Sequence, residues 1–506
     1  MVGKCWTFSR NGLNCSPVEV EVDIKNGLPV ILVTGLLSQE VKEARERVRP
    51  AISNSGLEFP VKRVTINLSP AETIKIGTHY DLAIAVALLK ACGYLQNITE
   101  RIAFFGELNL SGEIKWVRGI LPMVLEAIKE NFEKIVIPYE NFNEIAFLNH
   151  SNIIAAESIN DMIEKLVNNI NQSEKETLSL NYFFKQNSYG DYQDIMGQKE
   201  MVEAFKIAAA GLHHMLIIGP PGSGKTMGAS RLPSIMPDLT EEEIFEINKI
   251  YSIAAMLQGN NWVTVRPFRS PHNSFSVRAI VGGGPKVLPG EVSLAHKGIL
   301  FLDELLEFRN DTLQSLRTII EKKEVYISLR NGCAVYPADF LLVTACNPCP
   351  CGYFGTKSGI CNCSMNEVKK YRRKLKNPLI DRIDIQLQID RVNYKNLING
   401  EKNESSEAIK EKVLMARDIQ EFRYRMEDFK LNSLIPSEKI SFYCKMTEDA
   451  EKSLENFMEQ NLLTARACHK ILRIARTIAD LEKKELIEKY HIDRAIGFRI
   501  LDTEIM

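Results

Sequence analysis

The sequence contains no uninterrupted apolar run of the roughly 18 residues that a membrane-spanning helix needs. Its first segment, MVGKCWTFSRNGLNC, contains no apolar stretch suited to a signal peptide. No internal repeat and no low-complexity tract stands out. These absences argue against a membrane protein or an exported one. We therefore expect a cytoplasmic protein that has no membrane partner.

An excess of charge of either sign is also missing. Lys and Arg total 63 against 64 for Asp and Glu, which leaves a formal net charge of -1. Such a balance conceals local asymmetry, so it excludes neither nucleic acid nor an acidic partner. The 506 residues are 45% hydrophobic and 25% charged, which is ordinary for a globular protein and predicts two or three domains.

The pattern of apolar segments changes along the chain. Residues 1–168 alternate short strand-like and helical segments, and residues 169–193 lack periodicity and predict a linker. Residues 194–390 repeat the order strand, loop, helix, with the short apolar strands typical of a parallel sheet buried on both faces. Residues 391–506 are mostly helical and charged. We predict an α/β protein in which an α+β domain precedes a parallel-sheet core and a helical domain.

A phosphate-binding motif follows the apolar strand HMLIIG. GPPGSGKT matches G-x-x-x-x-G-K-[ST] between a strand and a helix, where backbone N–H groups point at phosphate oxygens. We expect Lys225 to reach the β- and γ-phosphates of ATP and Thr226 to hold Mg²⁺. The predicted loop consists of Gly219, Pro220, Pro221, Gly222, Ser223, Gly224, Lys225 and Thr226.

Two adjacent carboxylates end the strand GILFLDE. Open α/β sheets bind ligands at the carboxyl ends of their strands. We expect Asp303 to hold Mg²⁺ through water and Glu304 to orient and activate the attacking water. The pair favours ATP hydrolysis over nucleotide binding alone.

Three more polar residues are candidates for the same chemistry. Asn347 ends the strand LLVTACN and would polarise the water or the γ-phosphate, unless it is a buried structural Asn. Arg382 would act as a cationic finger on a neighbouring subunit, which can raise the rate by roughly 10³ to 10⁵. The alternative is an internal ion pair with Asp381 or Asp384. Arg466 opens a strongly periodic helix and is a similar candidate.

Six segments carry a family resemblance, and they occur in this order: GPPGSGKT, VRPFRSPHNSFSVRAIVGGG, LPGEVSLAHKGILFLDELLEF, ACNPCPCGYFG, NPLIDRIDI and LTARACHKILRIARTIADL. Together they closely resemble the Mg-chelatase-like AAA+ ATPases of the ComM/YifB family over essentially the whole chain. The resemblance implies an AAA+ core with a helical lid, and a homo-hexameric ring that hydrolyses ATP between subunits. It assigns Asn347 to sensor 1, Arg382 to the arginine finger and Arg466 to sensor 2. It also implies DNA branch migration in transformation-type recombination, with recombination proteins as further partners.

The N-terminal domain resembles the protease domain of Lon proteases, as this family's does, but it is placed before the ATPase domain instead of after it. An active Lon-type site pairs a Ser in a Gly-Pro-Ser-Ala-Gly turn with a Lys on a later helix. The corresponding positions here carry His79, in KIGTHYDLAIA, and Leu121, in GEIKWVRGILPMVLEA. A Ser–Lys pair needs a hydroxyl and an amine within hydrogen-bond reach. We therefore expect a catalytically inactive domain.

Two segments between the nucleotide motifs are candidates for gripping DNA phosphates. SVRAIVGGGPKVLPGE is a Gly/Pro-rich insertion that carries Arg278 and Lys286. EVYISLRNGCAVYPADF contains an Asn-Gly pair between alternating segments, a strong hairpin signal that puts Arg330 at the tip. The resemblance implies that both loops project into the channel of the ring. Packing between subunits is the alternative.

The chain has 11 cysteines, an odd number that disfavours a disulfide framework in a reducing cytosol. NPCPCGYFGTKSGICNC contains two Cys-x-Cys pairs, and four thiolates are a tetrahedral ligand set for Zn²⁺. A redox switch and inert thiols are the alternatives. We predict structural zinc on four residues: Cys349, Cys351, Cys361 and Cys363. Cys346, inside the preceding strand, is expected in the core.

These patterns predict a hexameric AAA+ motor that uses ATP and Mg²⁺ to migrate branched DNA. An ATP-driven remodeller, or a protease-like regulator, of protein complexes is the alternative. Insertion of Mg²⁺ into a porphyrin would need partner subunits and a tetrapyrrole site, and neither is visible in the chain.

Overall fold

The structure, a computed structural model, describes residues 2–95, 98, 101–168, 189–257, 262–329, 332–356, 361–375, 377–392, 402–461 and 463–503. These residues form an N-terminal unit around one sheet, a second unit around another sheet, and a C-terminal group of helices. The linker predicted over 169–193 falls largely outside the described residues, so the domain boundaries stay a prediction.

Strands of the N-terminal unit are β1 (Val2–Asn11), β2 (Asn14–Lys25), β3 (Val30–Thr34), β4 (Arg63–Ser69), β5 (Ile102–Phe104), β6 (Glu107–Leu108), β7 (Ile114–Lys115), β8 (Lys134–Pro138) and β9 (Ile153–Ala156). Seven of them form one mixed sheet in the order β3-β4-β2-β1-β5-β8-β9. β1 and β2 form a long antiparallel hairpin in which Asn11 lies opposite Asn14. The turn between them therefore contains only Gly12 and Leu13.

Helices of this unit are α1 (Gln39–Lys42), α2 (Ala44–Asn54), α3 (Tyr80–Cys92), α4 (Ile120–Lys129), α5 (Phe142–Ile145) and α6 (Ile159–Val167). The almost wholly apolar α3 is buried along most of its length and ends at Gly93, whose φ of 93° is left-handed. Glu43 lies between α1 and α2 and divides the helical stretch that they form in two.

The second sheet contains β10 (Met215–Ile218), β11 (Phe268–Arg269), β14 (Ile299–Leu302), β17 (Leu341–Cys346) and β18 (Ile385–Gln388). Their order is β11-β14-β17-β10-β18, and every neighbouring pair is parallel. β10, β14 and β17 are buried at every residue, as strands covered on both faces must be. The predicted parallel-sheet core is confirmed.

Two small hairpins accompany this sheet: β12 (Gly282–Gly283) with β13 (Leu288–Pro289), and β15 (Glu324–Leu329) with β16 (Gly332–Pro337). The helices around it are α7 (Lys199–Gly211), α8 (Lys225–Arg231), α9 (Glu241–Ala254), α10 (Val277–Val281), α11 (Glu291–Leu294), α12 (Asn310–Lys322) and α13 (Met365–Arg373).

The C-terminal helices are α14 (Ser406–Arg423), α15 (Ile440–Tyr443), α16 (Glu448–Asn461), α17 (Ala465–Leu481), α18 (Lys489–Gly497) and α19 (Ile500–Thr503). The apolar face of α17 lies in the same hydrophobic cluster as β10 and α7. This helical group therefore packs directly onto the sheet of the second unit. Within the described residues, no helix combines the length and apolar character needed to cross a bilayer.

The two sheet units share a hydrophobic core through α9. Ile244, Ile247 and Ile250 recur along this helix at a spacing that keeps them on one side. They lie in one buried cluster with Phe105 and Leu121 of the N-terminal unit. The units are therefore joined by packing as well as by the chain between them.

Candidate functional site

The phosphate-binding motif forms a loop between β10 and α8. Gly222 and Gly224 have φ angles of 74° and 90°, a left-handed backbone that favours glycine. This conformation turns the chain into α8, which begins at Lys225. Lys225 Nζ donates to the carbonyl oxygens of Gly219 at 2.7 Å and Pro220 at 2.9 Å. Burial lowers the pKa of the Lys225 amine.

Thr226 and Asp303 come together at the carboxyl edge of the sheet. The Thr226 hydroxyl donates to Asp303 Oδ2 at 2.7 Å, although the two residues lie on different elements. Hydroxyl and carboxylate oxygens are ligands that Mg²⁺ uses beside nucleotide phosphates. The donor set therefore fits Mg²⁺-ATP.

Glu304 follows Asp303 in a left-handed backbone conformation with φ 52°, which is uncommon for a residue with a side chain. Its backbone N–H donates to Asp303 Oδ1 at 3.0 Å. Asn347 follows β17 at the same edge, and its Oδ1 accepts from Lys225 Nζ at 3.4 Å. The loop, the acidic pair and Asn347 therefore form one site.

Asn273 belongs to this site but was not predicted from the sequence. Its Nδ2 donates to Glu304 Oε2 at 3.0 Å. It follows β11, the neighbour of β14 in the sheet. β11 spans only Phe268 and Arg269, too short for a periodicity signal. The polar segment SPHNSF, which follows β11, was the sequence signal that could have indicated a site residue here.

Arg382 and Arg466 lie away from this site. They line a cleft of about 520 Å³ together with His214, Phe340 and Asp384. These last three residues directly precede β10, β17 and β18, so the cleft opens at the amino edge of the sheet. The phosphate loop follows the carboxyl end of β10, at the opposite edge of the sheet. Within one chain, the two arginines are thus on the far side of the sheet from Lys225.

Arg382 is held by an acidic residue of α12. Its Nε donates to Glu321 Oε1 at 2.6 Å, and its Nη2 contacts the same oxygen. Arg382 therefore forms an internal ion pair within this chain, as the alternative predicts, but its partner is Glu321 in place of Asp381 or Asp384. Arg466 lies exposed in the first turn of α17, as its helix pattern predicts.

The four predicted zinc ligands lie together. The sulfur atoms of Cys349, Cys351, Cys361 and Cys363 are all within 4.8 Å of one another. Cys349 Sγ is 3.3 Å from Cys351 Sγ and 3.7 Å from Cys361 Sγ. Tetrahedral zinc with Zn–S bonds of about 2.3 Å places its sulfurs about 3.8 Å apart, so the group fits a metal of this kind.

Local backbone groups favour the thiolate form of Cys351, whereas the pKa values of Cys361 and Cys363 are raised, with contacts to the neighbouring thiols among the causes. A backbone hydrogen bond from Tyr353 is the largest influence that lowers the pKa of the Cys351 thiol, to about 6. The Phe354 N–H donates to Cys349 Sγ at 3.3 Å. By contrast, burial raises the pKa of Cys346, inside β17, to about 12, as expected for a core residue. All 11 cysteines are free thiols.

The two segments predicted to grip DNA contain the hairpins β12–β13 and β15–β16. Arg278 is exposed on α10, and Lys286, between β12 and β13, forms an ion pair with Glu40 at 3.2 Å. The β15–β16 strands pair antiparallel, as the Asn-Gly signal predicts. Arg330, the predicted tip, lies outside the described residues.

The two positions that correspond to a Ser–Lys pair hold no such chemistry. His79 is buried, and its Nε2 is 2.8 Å from the carbonyl oxygen of Phe8. Burial lowers the pKa of His79 to about 4. Leu121 is fully buried, and its N–H donates to Ser252 Oγ at 3.3 Å. His79 is thus a core residue, and Leu121 is part of the contact with α9.

Comparison with known proteins places this geometry in a family. A profile described as "Magnesium chelatase, subunit ChlI" matches residues 191–397. Profiles described as "Subunit ChlI of Mg-chelatase" and "Magnesium chelatase, subunit ChlI C-terminal" match residues 20–141 and 403–499.

Full-length relatives agree with these matches. The chain is 38% identical over 502 residues to "Uncharacterized protein YifB" of Escherichia coli, covering 98% of this chain and 96% of that protein. It is 37% identical over 500 residues to "Competence protein ComM" of Haemophilus influenzae, covering 97% and 96%. A weaker similarity, 25% over 185 residues, links 31% of this chain to 33% of "Lon protease 2" of Bacillus subtilis.

Proposed function

The chain belongs to the Mg-chelatase-like AAA+ ATPase family that includes YifB and ComM, and from this premise we propose that it is a ring-forming, ATP-driven motor that migrates branched DNA. The observation that carries the proposal is the separation of two half-sites. Lys225 and Asp303 lie at one edge of the parallel sheet, whereas Arg382 and Arg466 line a cleft at the opposite edge.

In the proposed reaction, the loop from Gly219 to Thr226 binds the phosphates of ATP. Thr226 and Asp303 would hold Mg²⁺, whose charge would offset that of the phosphates. Glu304 orients the attacking water and accepts its proton, and Asn347 positions the γ-phosphate. The contact from Lys225 to Asn347 supports this last role, because it places the Asn347 amide beside the amine proposed to reach the γ-phosphate.

A ring brings the half-sites together. In a head-to-tail interface, the amino edge of one sheet faces the carboxyl edge of the next. Arg382 and Arg466 of one subunit would then reach the nucleotide held by its neighbour and stabilise charge as the phosphoryl group is transferred. We propose a hexamer, as the family resemblance implies.

DNA is the proposed substrate of the motor. A relative of nearly the same length is named a competence protein, which associates it with DNA uptake. Arg278, Lys286 and the hairpin that carries Arg330 are the proposed phosphate contacts, since cations on loops can follow a DNA backbone without reading its sequence. We propose that the protein acts in the cytoplasm with other recombination proteins.

Zn²⁺ is the proposed ligand of the four-cysteine cluster. It has no redox role there and would hold a loop that has no core of its own. Its four ligands would be Cys349, Cys351, Cys361 and Cys363, which would make the site structural and not catalytic.

The test is ATP-dependent conversion of a labelled synthetic four-way DNA junction, comparing the wild-type chain with Glu304→Gln. Glu304→Gln keeps the shape of the side chain but removes the carboxylate that activates water. We expect conversion by the wild type and at least a 100-fold slower reaction in the variant, on the order of what loss of a proton acceptor costs. ATP binding should be retained.

Glu307→Gln is the matched control, because Glu307 lies one helical turn further on and outside the acidic pair. It should convert the junction at the wild-type rate. Hydrolysis of ATP that leaves the junction intact and is unaffected by DNA would refute the motor. The remaining function would then be ATP-driven remodelling of a protein complex.

A further inference from the structure

The cysteine segment lies directly against the phosphate loop. Gly352, between Cys351 and Tyr353, has a left-handed φ of 85°. A Cβ atom built on it would lie 2.6 Å from Pro221 Cδ and 3.9 Å from Asn347 Cγ. Real side chains essentially never come as close as 2.6 Å, so only glycine fits here without displacing the proline ring. The segment thus contacts the proposed nucleotide site through its backbone.

A second contact runs through Arg391, which follows β18. Its Nε donates to the carbonyl oxygen of Pro221 at 2.9 Å. Its Nη2 donates to the Tyr353 hydroxyl at 3.1 Å, and the guanidinium lies 5.2 Å from the centre of the Tyr353 ring. Two hydrogen bonds and a cation–π contact therefore fix the guanidinium between the cysteine segment and the phosphate loop.

The other side of the segment is anchored to α13. The guanidinium of Arg372 lies 5.0 Å from the centre of the Phe354 ring. Arg372 is also near the Pro348 carbonyl, with Nε at 3.5 Å. Ser364, immediately after Cys363, caps α13 through the backbone N–H of Glu367 at 3.3 Å. The four cysteines are thus tied to the helix at one end and to Pro221 at the other.

The described part of residues 349–363 has no helix or strand. Its apolar content is small, so the sulfur cluster is the main source of its shape. Without a metal, the four thiols have only weak S–H···S contacts to hold them together. The position of Gly352 and Tyr353 against Pro221 then depends, within the described residues, on the Arg391 and Arg372 contacts alone.

We propose that the metal-loaded cysteine cluster is the support of the phosphate loop, and that Tyr353 and Arg391 are positioning residues that transmit this support to the Pro221 carbonyl. The proposal rests on the proposed function, because it assigns a regulator to the same ATP site. Metal occupancy would set the affinity for ATP while leaving Lys225, Thr226, Asp303 and Glu304 unchanged.

The test measures the Kd of a fluorescent ATP analogue for the full chain, with zinc content determined for each sample. The variants are Cys361→Ser/Cys363→Ser, which removes half of the ligand set, Arg391→Gln, and the combination of both. Loss of one charge-assisted hydrogen bond to the loop should raise Kd about 5- to 10-fold for each variant. The combination should raise Kd no further, because both changes act through one contact.

Arg425→Gln is the control for the loss of a stacked arginine. Arg425 lies 4.6 Å from the centre of the exposed Phe422 ring, in the C-terminal helical group. The Arg425→Gln substitution removes a guanidinium charge and a cation–π contact, as Arg391→Gln does, but in the C-terminal helical group and not beside Pro221. Its Kd for the ATP analogue should equal that of the wild type.

A glycine pair tests the same contact with all four cysteines present. Gly352→Ala and Gly355→Ala both place a side chain at positive φ, 85° and 70°. Only the first clashes with Pro221, since nothing lies closer than 3.8 Å to a Cβ at Gly355. Gly352→Ala should therefore raise Kd about 5-fold or more, given the usual cost of overpacking, and Gly355→Ala should change it little.

The outcomes separate this inference from the proposed function. If the wild type does not bind the ATP analogue, the proposed function itself is wrong. If the wild type binds it but the cysteine variant binds equally well, only the inference fails. It also fails if the effects of the cysteine and Arg391 variants multiply, or if the two glycine variants bind alike.

Discussion

Glu144 is a buried carboxyl group at the contact between the two sheet units. Asn141 Nδ2 donates to its Oε2 at 3.1 Å, and the Ser252 hydroxyl of α9 donates to its Oε1. Trp262 Nε1 donates to the Glu144 carbonyl oxygen at 2.9 Å. Burial raises the pKa of Glu144 from 4.5 to about 7. The neutral acid is therefore the form that the interface favours.

This raised pKa predicts a pH-dependent stability. The carboxyl must lose its proton in a buried place, so its contribution is fully present below 4.5 and is lost as pH rises through about 7. We expect the wild-type melting temperature to fall between about pH 4.5 and pH 7, for a loss on the order of 3 kcal/mol in the free energy of unfolding. Glu144→Gln should remove most of this dependence, measured by thermal melting across that range.

Glu133→Gln is the control for the melting series, because Glu133 is exposed in the same unit. It should keep the pH dependence of the wild type. A Glu144→Gln chain that melts with the wild-type pH profile would show that another group titrates.

At the scale of elements, both proposed DNA loops are in contact with the N-terminal unit. Lys286 pairs with Glu40 of α1 at 3.2 Å. The turn of the β1–β2 hairpin meets β16, where Asn11 Nδ2 donates to the Cys333 carbonyl oxygen at 3.3 Å. A Cβ on Gly12 would lie 3.1 Å from the Val335 carbonyl oxygen. The N-terminal unit therefore contacts both loops near their turns.

Substitutions at Lys286 and at Glu40 are expected to change DNA binding in opposite directions. Lys286→Gln removes a cation that would release a counterion from DNA, so the slope of log K against log salt should become shallower by about 1. Glu40→Gln frees Lys286 for phosphate, and we expect DNA affinity to rise about 2- to 5-fold, since exposed ion pairs are worth up to about 1 kcal/mol. Fluorescence anisotropy with labelled DNA over a salt series measures both.

Lys42→Gln is the control, because Lys42 is an exposed residue of α1 that carries the same charge as Lys286. It should leave both the slope and the affinity near the wild-type values. Equal slopes for Lys286→Gln and the wild type would remove Lys286 from the DNA contact.

At the scale of the whole molecule, the positions of Arg382 and Arg466 predict how subunits would combine in a ring. Arg382 and Arg466 lie across the sheet from the phosphate loop of their own chain, so in the proposed ring they would act on a nucleotide bound by a neighbouring subunit. Two different inactive variants should therefore complement each other. Arg382→Ala retains an intact Glu304, whereas Glu304→Gln retains an intact Arg382.

We expect each variant alone to hydrolyse ATP at least 100-fold more slowly than the wild type. Subunits mixed in equal amounts should recover about one quarter of the wild-type rate, because one interface in four pairs an intact Glu304 with an intact Arg382. Steady-state ATPase rates against mixing ratio measure this. A mixture as inactive as its components would mean that Arg382 serves its own chain or has no catalytic role.

Much of the proposed site was predictable because its parts are local in the sequence. The phosphate loop, the Asp303–Glu304 pair and the cysteine pairs are short motifs whose spacing is set by a turn, a strand end or a metal. Apolar runs likewise predicted the parallel strands β10, β14 and β17. The interruption of the helix at Glu43 and the two-residue strand β11 were not predicted, since their signals are shorter than a helical turn or a strand period.

Contacts between distant residues were decided by the tertiary structure alone. Asn273 reaches Glu304 because β11 and β14 are neighbours in the sheet, and no local pattern specifies that order. Arg382 pairs with Glu321 of α12, not with the aspartates beside it in sequence.

Local sequence patterns predicted the candidate chemistry, that is, which groups are available to bind phosphate, Mg²⁺ and zinc. Only the fold decided which edge of the sheet each group occupies, and that Gly352 touches Pro221. The reason is physical. Spacing along a chain sets the shape of a turn, whereas strand order and helix packing depend on burying the whole apolar surface at once.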